Sequence, residues 1–157
     1  MAASLQMGLH RNQPEISNPI ERETRKRIFF TIRSMEAYVI ALLGLPRLVS
    51  DEDIDQEMPL EIDDQYITKD GVLPMPDGQV SVIAGFNANS KLSEILAKVV
   101  TNVYATKRIQ KGPAEKPRAY VVDDSKVREV ERDLQLWAGN LPMQLRPGAD
   151  SPPKLLR

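Results

Sequence analysis

The residues best suited to chemistry form the acidic run SDEDIDQEMPLEIDD, which holds eight carboxylates in fifteen residues. Such runs bind calcium, hold magnesium or line a solvated surface. Asp51, Asp53 and Asp55 alternate as in the first half of an EF-hand loop, which requires Gly at its sixth position and Glu at its twelfth. Those positions are Gln56 and Ile62 here. The pattern therefore predicts no metal site, but an ordered segment that packs on a helical body with its carboxylates in water.

A basic triplet, Arg25, Lys26 and Arg27, has the composition of a nuclear localisation or phosphate-binding cluster. Consecutive helix residues point about 100° apart, so the three charges do not form one patch on a helix. Glu21 and Glu23 each lie four residues before an arginine, with the acid first, which is the better order for ion pairs. The sequence predicts two surface pairs, Glu21–Arg25 and Glu23–Arg27, in place of a binding site.

The chain has few residues that could serve in a nucleophilic triad or as zinc ligands. The chain has one histidine, His10, and no cysteine. A Ser–His–Asp arrangement would depend on that one residue, and a zinc site would have one nitrogen ligand and no sulfur. Gly8 favours the end of a helix at this point, so His10 is interpreted as a contact at a helix C-terminus. No catalytic, metal-binding or cofactor-binding residue is predicted, and the chain is not expected to be an enzyme.

Composition restricts the class of protein further. Of 157 residues, 41% are hydrophobic and 27% charged, as in ordinary soluble proteins, and the net charge is −1. That charge gives no bulk attraction for nucleic acid. A run of five basic side chains is predicted to be an exposed loop: Lys107, Arg108, Lys111, Lys116 and Arg118. The longest apolar run covers about half of a membrane span, so no membrane partner is expected.

Helical periodicity dominates the chain and predicts an all-α fold. A helix over about 19–43 is marked by Asn18 as its cap, Pro19 in its first turn and Gly44 as its closing residue. Its apolar residues recur at spacings of three and four and are expected to face the core: Ile28, Ile32, Met35, Val39, Leu42 and Leu43. Phe29, Tyr38 and Ala41 widen this stripe, so burial on more than one side of the helix is expected.

Three further helices are predicted, at about 2–10, 80–106 and 124–141. The third of the four is expected to bury an apolar stripe that includes Val82 and Phe86, and the last to carry Val127, Val130, Leu134, Trp137 and Leu141 inward. Long irregular loops separate them, with a short strand conceivable at 120–122. The broad apolar faces indicate a partial helical bundle or array, an interior piece of a larger helical domain spanning 1–147, with 148–157 as a tail.

One ordered set of motifs is more specific than any single feature. Its members, in chain order, are Gly8 to Arg11; Glu23, Arg25, Arg27, Phe29 and Phe30; Met35 and Glu36; Gly44 and Pro46; Asp53 and Asp55; Met58 and Pro59; Asp63 and Asp64; Leu134, Trp137, Leu141 and Pro142; and Leu145 and Pro147. This set resembles the fungal-specific transcription factor domain, the middle homology region of fungal zinc-cluster (Zn2Cys6) transcription factors. The resemblance covers about residues 4–147.

The sequence departs from that family at three positions. Phe30 stands where Trp is common, Glu36 where Asp is usual and Leu45 where Arg is usual. The first two keep the physical type of the side chain, whereas Leu45 removes a cation from the turn that ends the helix. The resemblance implies fourteen structural motif residues: Glu23, Arg25, Arg27, Phe29, Phe30, Glu36, Gly44, Pro46, Asp53, Asp55, Pro59, Asp64, Trp137 and Pro142.

The resemblance implies a truncated regulatory domain that works in the nucleus through transcriptional co-regulators, the rest of its own chain or a small-molecule effector. Zinc and DNA are expected only for the six-cysteine cluster, which these residues lack. Two other classes stay open. One is a helical small-molecule-binding protein or enzyme that uses Asp51, Asp53, Asp63, Asp64 and His10. The other is a scaffold or dimerisation fragment.

Overall fold

The computed structural model describes residues 1–103 and 124–146 as four α-helices joined by irregular segments. Helix α1 spans Ala2–Gln6, α2 Pro19–Leu43, α3 Val82–Val103 and α4 Asp124–Gly139. Single 3-10 turns occur at Asp51–Asp53, Asp64–Tyr66 and Met143–Leu145. The all-α prediction is confirmed, since the described ranges contain no strand beyond one isolated bridge, Ile67 with Val72.

Helix α2 is the longest element, and its ends follow the expected local chemistry. Asn18 accepts a hydrogen bond from the Ile20 amide at 3.0 Å, and Pro19 occupies the first position, where no amide donor is needed. Gly44 adopts a left-handed conformation (φ +66°) and donates its amide to the Ile40 carbonyl at 2.8 Å. The helix predicted over 19–43 is present with those bounds.

The face of α2 that lies inside the protein includes Phe29, as predicted, but otherwise differs from the predicted face. The buried residues are Pro19, Glu23, Lys26, Phe29, Phe30, Arg33, Ser34, Ala37 and Ile40. The stripe expected to face the core is largely exposed instead, with Met35 62% and Leu42 83% accessible. The prediction was wrong because polar side chains on the buried face find charged and hydroxyl partners, which hydropathy alone does not reveal.

Small side chains bring α2 and α3 close together. The Ser93 hydroxyl of α3 and the Ser34 hydroxyl of α2 are hydrogen-bonded at 3.0 Å, and both residues are buried. Ala37 on α2 and Ala97 on α3 are also buried, one to each side of this serine pair. Helix separation depends on side-chain size at the contact, so these residues permit a close approach. Val82, expected to face inward, is 66% exposed at the start of α3.

Helix α4 packs against α3. The Trp137 indole N–H donates to the Ala88 carbonyl at 2.8 Å, and Lys98 pairs with Asp133 at 2.7 Å. Val130 and Leu141 are buried as predicted, but Leu134 is exposed and Trp137 only half-buried. The Trp137 ring lines the groove between α3 and α4 and stays partly exposed, because its indole N–H is used in a hydrogen bond to a backbone carbonyl.

The apolar core lies where the N-terminal segment meets α2. Leu9, Phe29 and Phe30 are buried together, and the two phenylalanine rings meet edge to face with centroids 5.3 Å apart. Three half-buried side chains close this cluster: Ile54, Met58 and Phe86. The residues following α2 thus contribute apolar side chains to the core, as the alternation of acids and apolar residues in that stretch predicted.

The remaining sequence predictions concern the end of α1, segments that the structure does not describe, and membrane spans. Helix α1 ends at Gln6 instead of continuing to residue 10, because Gly8 turns the chain with φ +65°. The basic loop, the conceivable strand at 120–122, the predicted end of the third helix at 104–106 and the tail lie outside the described residues. In the described part of the chain, none of the helices is both long and apolar enough to cross a bilayer.

Candidate functional site, a charged clasp on α2

The acidic segment, residues 50–64, lies along α2 and is held there by a set of ion pairs and hydrogen bonds that we call the charged clasp. Its first member is Asp51, which pairs with the buried Arg33 of α2 and with Arg47 at 3.0 Å. Burial alone would raise the pKa of the Asp51 carboxyl, but the hydrogen bond and charge of Arg33, together with Arg47, outweigh it and lower that pKa. Glu94 of α3 also lies 3.4 Å from the Arg33 guanidinium.

The middle of the clasp buries a charged pair. Glu23 and Lys26, one turn apart on α2, are 4% and 8% exposed and lie 3.2 Å from each other. Lys26 also pairs at 3.2 Å with Glu57 of the acidic segment. The second oxygen of Glu23 accepts the Leu60 amide at 2.8 Å. Each buried charge therefore has more than one partner, as burial of charge requires.

The remaining arginines of the basic triplet are also engaged. Arg27 pairs with Asp64 at the end of the acidic segment, and Arg25 donates to the Met7 carbonyl at 3.0 Å. The predicted surface pairs Glu21–Arg25 and Glu23–Arg27 were therefore wrong. The acidic segment and the N-terminal turn offer these cations partners that sequence spacing along one helix does not show.

Asp63 connects the clasp to α3. Its carboxylate accepts hydrogen bonds from the Ser81 hydroxyl at 2.7 Å, the Val82 amide at 3.0 Å and the Gln79 side chain at 3.0 Å. The Ser81 bond, with the other two donors, lowers the pKa of the Asp63 carboxyl. Ser81 in turn accepts the Ile83 amide at 3.0 Å. A residue of the acidic segment thus caps the N-terminus of α3.

The clasp also fixes the chain before α2. The His10 carbonyl accepts the Asp55 and Gln56 amides at 3.2 and 3.1 Å, and the Asp55 carboxylate accepts the Asn12 amide at 3.0 Å. The Gln56 side chain donates to the Leu9 carbonyl at 3.0 Å. The prediction that His10 lies at a helix C-terminus was wrong, because α1 ends four residues before it.

The structure brings together part of the motif set. Glu23, Arg27, Asp55, Pro59 and Asp64 lie at the clasp, where the buried Asn87 of α3 donates to the Pro59 carbonyl at 2.9 Å. Arg25 joins the N-terminal turn, and Phe29 and Phe30 belong to the core beside it.

Six other motif residues take no part in the clasp. Glu36 accepts the Leu48 amide at 3.3 Å and so helps to fix the turn that contains Gly44 and Pro46. Trp137 and Pro142 line the α3–α4 groove, and Asp53 is exposed.

The sequence did not identify four residues that make contacts of the clasp: Arg33, Lys26, Glu57 and Asp63. Arg33 and Lys26 lie seven residues apart, with Phe29 and Phe30 between them on the buried face. That periodicity of cations around aromatic residues was a signal that they share a face. No local signal marks Asp63 as the cap of a helix that starts 19 residues later.

The expectation that the acids only face water was wrong for Asp51, Glu57, Asp63 and Asp64, which have the partners given above. Cations and amide donors on α2 and α3 bind these four carboxylates at separate points, so the carboxylates do not come together at one site. In residues 1–103 and 124–146, no three acidic or histidine side chains form a group suited to a metal ion. The arrangement positions segments of chain and offers no acid–base pair aimed at a substrate.

Two concave regions flank this assembly. A cavity of about 350 Å³ lies beneath the clasp, between Phe30, Arg33, Met58 and Lys91. A groove of about 340 Å³ runs between α3 and α4, lined by Ala88, Ile95, Lys98, Asp133, Leu136 and Trp137 among others. The Lys98–Asp133 hydrogen bond raises the pKa of Lys98 and lowers that of Asp133, so both remain charged at the edge of the groove.

The fold and the clasp define an all-helical domain whose charged residues hold its own segments together. Residues 1–139 match the family described as "Fungal specific transcription factor domain", and the chain belongs to that family. The family consists of transcription factor domains and not of enzymes, so the family prediction is confirmed.

The curated relatives are much longer proteins. The chain is 36% identical to "Activator of stress genes protein 1" of Candida albicans over 94% of its own length, and 34% identical to "Activator of stress genes 1" of Saccharomyces cerevisiae over 96%. It is 33% identical to "Transcriptional activator protein acu-15" of Neurospora crassa over 91%. These alignments cover 16%, 15% and 14% of the three relatives, so the chain spans only about 15% of their length. No solved structure shows a significant match.

Proposed function

We propose that this chain acts in the nucleus as a regulatory module that restrains or releases a transcriptional activator through protein contacts. Family membership and the likeness to three named activators support a role in transcription. The chain has no cysteine for a six-cysteine zinc cluster and a net charge of −1. Direct DNA binding is therefore assigned to other parts of a longer protein, and co-regulators or those other parts are the partners.

One observation carries this proposal: the apolar face of α2, formed by Ile28, Met35, Tyr38, Val39, Leu42 and Leu43. All six side chains are more than 40% exposed. They lie on the side of α2 opposite Phe29, Arg33 and Ala37. Contiguous exposed apolar surface of this kind marks a site of protein interaction.

The clasp gives the apolar face a fixed backbone on which to act. The acidic segment and α3 hold α2 from the opposite side through Arg33, Lys26 and Ser34, so the helix is ordered before a partner binds. A partner then loses little conformational entropy in docking on it. Binding that favours one arrangement of the activator over another shifts its population, which is the regulatory step.

A reporter assay tests this function. The chain is inserted between a heterologous DNA-binding domain and an activation domain in yeast, and reporter output is measured. Met35→Glu places a charge in the centre of the apolar face, and we expect it to change reporter output severalfold because it blocks the contact without touching the core. Met143→Glu is the matched control, since Met143 is 74% exposed and lies outside that face.

The expected result is a change for Met35→Glu and none for Met143→Glu, with equal protein levels by immunoblot. Equal output from Met35→Glu and the unchanged chain would reject a regulatory role for the apolar face.

The α3–α4 groove supports a second function, binding of a small-molecule effector. Its volume of about 340 Å³ lies at the lower end of the range for ligand pockets, and it combines apolar walls with the Lys98–Asp133 pair. Trp137 is the single tryptophan of the chain and lines the groove, so its fluorescence reports binding there.

A screen of small apolar acids and amides should therefore contain compounds that shift the Trp137 emission at micromolar concentration, and Ala88→Leu, which fills the groove, should abolish the shift. A library without any such compound would count against the effector role.

A further inference from the structure

The cavity beneath the clasp lies where three elements of the chain meet. Its volume of about 350 Å³ is at the lower end of the range for small-molecule sites. Helix α2 contributes Phe30 and Arg33 to its lining, and α3 contributes Lys91 and Glu94. The acidic segment contributes the other lining residues, which are Asp51, Ile54, Gln56 and Met58. A ligand in this cavity would therefore contact all three elements at once.

Arg33 is the buried cation of this cavity, and its guanidinium group is only partly satisfied. Its side chain is 7% exposed. The Nη2 atom donates to Asp51, whereas Nε lies 3.4 Å from the Glu94 carboxylate without hydrogen-bond geometry. The Nη1 atom is buried and has no acceptor among the residues that the structure describes. A buried donor of this kind is costly without an acceptor, and a bound anion would supply one.

Lys91 supplies a second cation to the same cavity. It is exposed, so it belongs to the rim, and it makes no ion pair or hydrogen bond with the described residues. The two acids of the lining, Asp51 and Glu94, both lie against Arg33, and Arg47 also pairs with Asp51 at 3.0 Å. Three cations therefore meet two acids, and one further negative charge would balance them.

The walls of the cavity favour an organic acid over an inorganic anion. Phe30, Ile54 and Met58 form an apolar surface, which is stabilised when a hydrocarbon group covers it. Phosphate has no such group, and it would bring more than one negative charge close to Asp51 and Glu94. A monocarboxylate carries a single charge, and its planar carboxylate matches the geometry of a guanidinium group.

We propose that the cavity beneath the clasp binds a small monocarboxylate with an apolar tail. The carboxylate is bound by Arg33 and Lys91, and the tail lies against the apolar wall defined above. This inference goes beyond the proposed function, because the site is separate from the apolar face of α2. Binding would stabilise the folded chain, since the ligand holds the acidic segment to both helices.

The site is also distinct from the α3–α4 groove, although the two adjoin. Lys91 and Glu94 line both of them, whereas Ala88 lines only the groove and Ile54 only the cavity. A substitution at Lys91 alone would therefore not separate the two regions. The experiment needs a second variant that changes the groove and leaves the cavity as it is.

A titration of the full 157-residue chain, followed by nuclear magnetic resonance, tests the site. The probes are isocaproate and benzoate, one with a branched tail and one with an aromatic tail, and the backbone amides of Ile54 and Lys91 report binding. We expect at least one acid to give saturable shifts with a dissociation constant of about 1 mM or lower. The matching neutral amide should bind at least about tenfold more weakly, because it lacks the charge that Arg33 and Lys91 bind. Inorganic phosphate should give no saturable shift.

Four variants locate the binding. Lys91→Met keeps the length of the side chain without its charge and should weaken binding about tenfold, whereas Lys91→Arg should keep the affinity within about threefold. Lys69→Met is the matched control, since Lys69 is exposed and lies outside the cavity lining. Ala88→Leu fills the groove and should leave the affinity unchanged. Circular dichroism should show the same helical content in all four.

Several results would overturn the proposal. One is the absence of a saturable shift with either acid up to about 20 mM. Another is equal affinity for an acid and its amide, or equal affinity of Lys91→Met and the unchanged chain. Loss of binding in Ala88→Leu would assign the ligand to the α3–α4 groove instead. None of these results affects the regulatory function, which depends on Met35→Glu in the reporter assay.

Discussion

The two faces of α2 differ in an unusual way, because charged side chains lie on the buried face and large apolar side chains on the exposed one. The face turned into the protein holds two lysine or arginine side chains and a glutamate along with its two phenylalanines, and the face turned outward holds isoleucine, valine, leucine and methionine. On the inward face each charge meets a specific partner in the acidic segment or on α3. Burial here follows from the partners that the surrounding chain supplies and not from side-chain polarity alone.

A single helix can serve two interfaces when its two faces make contacts of different kinds. The inward face fixes position through directional contacts, since ion pairs and hydrogen bonds require particular atoms at particular distances. The outward face offers non-directional apolar surface that another helix can cover. The two faces should therefore respond very differently to the same kind of substitution.

The largest contrast is expected between Phe29 and Met35. Phe29 is 0% exposed, and Phe29→Ala should lower the free energy of unfolding by about 3–5 kcal/mol through lost burial and a cavity. Met35→Ala, measured by urea denaturation at concentrations where the chain is monomeric, should change it by less than about 0.5 kcal/mol. Comparable losses for both variants would mean that the outward face is packed within the chain.

A smaller contrast should separate two glutamates in the first turns of α2. Glu23→Ala leaves the buried Lys26 with Glu57 alone and removes the acceptor of the Leu60 amide. We expect a loss of about 2–3 kcal/mol in unfolding free energy, below that for a fully isolated buried charge because Glu57 remains. Glu21→Ala, at an exposed position on the same helix, is the control and should cost less than about 0.5 kcal/mol. Equal effects would contradict a buried pair.

The smallest effect concerns the cap on α3. Asp63→Ala should cost about 1 kcal/mol at neutral pH, and Asp53→Ala less than about 0.5 kcal/mol, because Asp53 is exposed. The folded pKa of Asp63 is lowered, so its stabilisation is complete above the unfolded value near 3.8 and is lost as pH falls through the lower folded pKa. Thermal melts from pH 7 to pH 2 should show the parent and Asp63→Ala converging at low pH. A constant difference between them would exclude a charge-dependent cap.

The sequence predicted the elements better than their faces. The bounds of α2 follow from Asn18, Pro19 and Gly44, which act through local backbone chemistry that any reader of the sequence can identify. The motif order identified the family because it samples many positions at once. Which face of α2 is buried depends on Asp51, Glu57 and Ser93, which are 18 to 59 residues away from their partners.

The candidate site was predicted in part for the same reason. Glu23, Arg27 and Asp64 were selected by resemblance and do meet at the clasp. Their predicted partners were wrong because spacing along one helix gives only neighbours on that helix. The cap from Asp63 to α3 requires knowledge of where a distant loop returns, which periodicity does not contain.

The cap by Asp63 has a consequence for how local opening spreads through the molecule. If residues 50–64 lift away from α2, the start of α3 loses the carboxylate that holds the Val82 amide and the Ser81 hydroxyl, so we expect the two regions to open in the same event. Amide protons of Val82 and Leu60 would then exchange with solvent at matching rates, although they belong to different elements. Local unfolding of the acidic segment would therefore also unfold the start of α3, because the two form one cooperative unit.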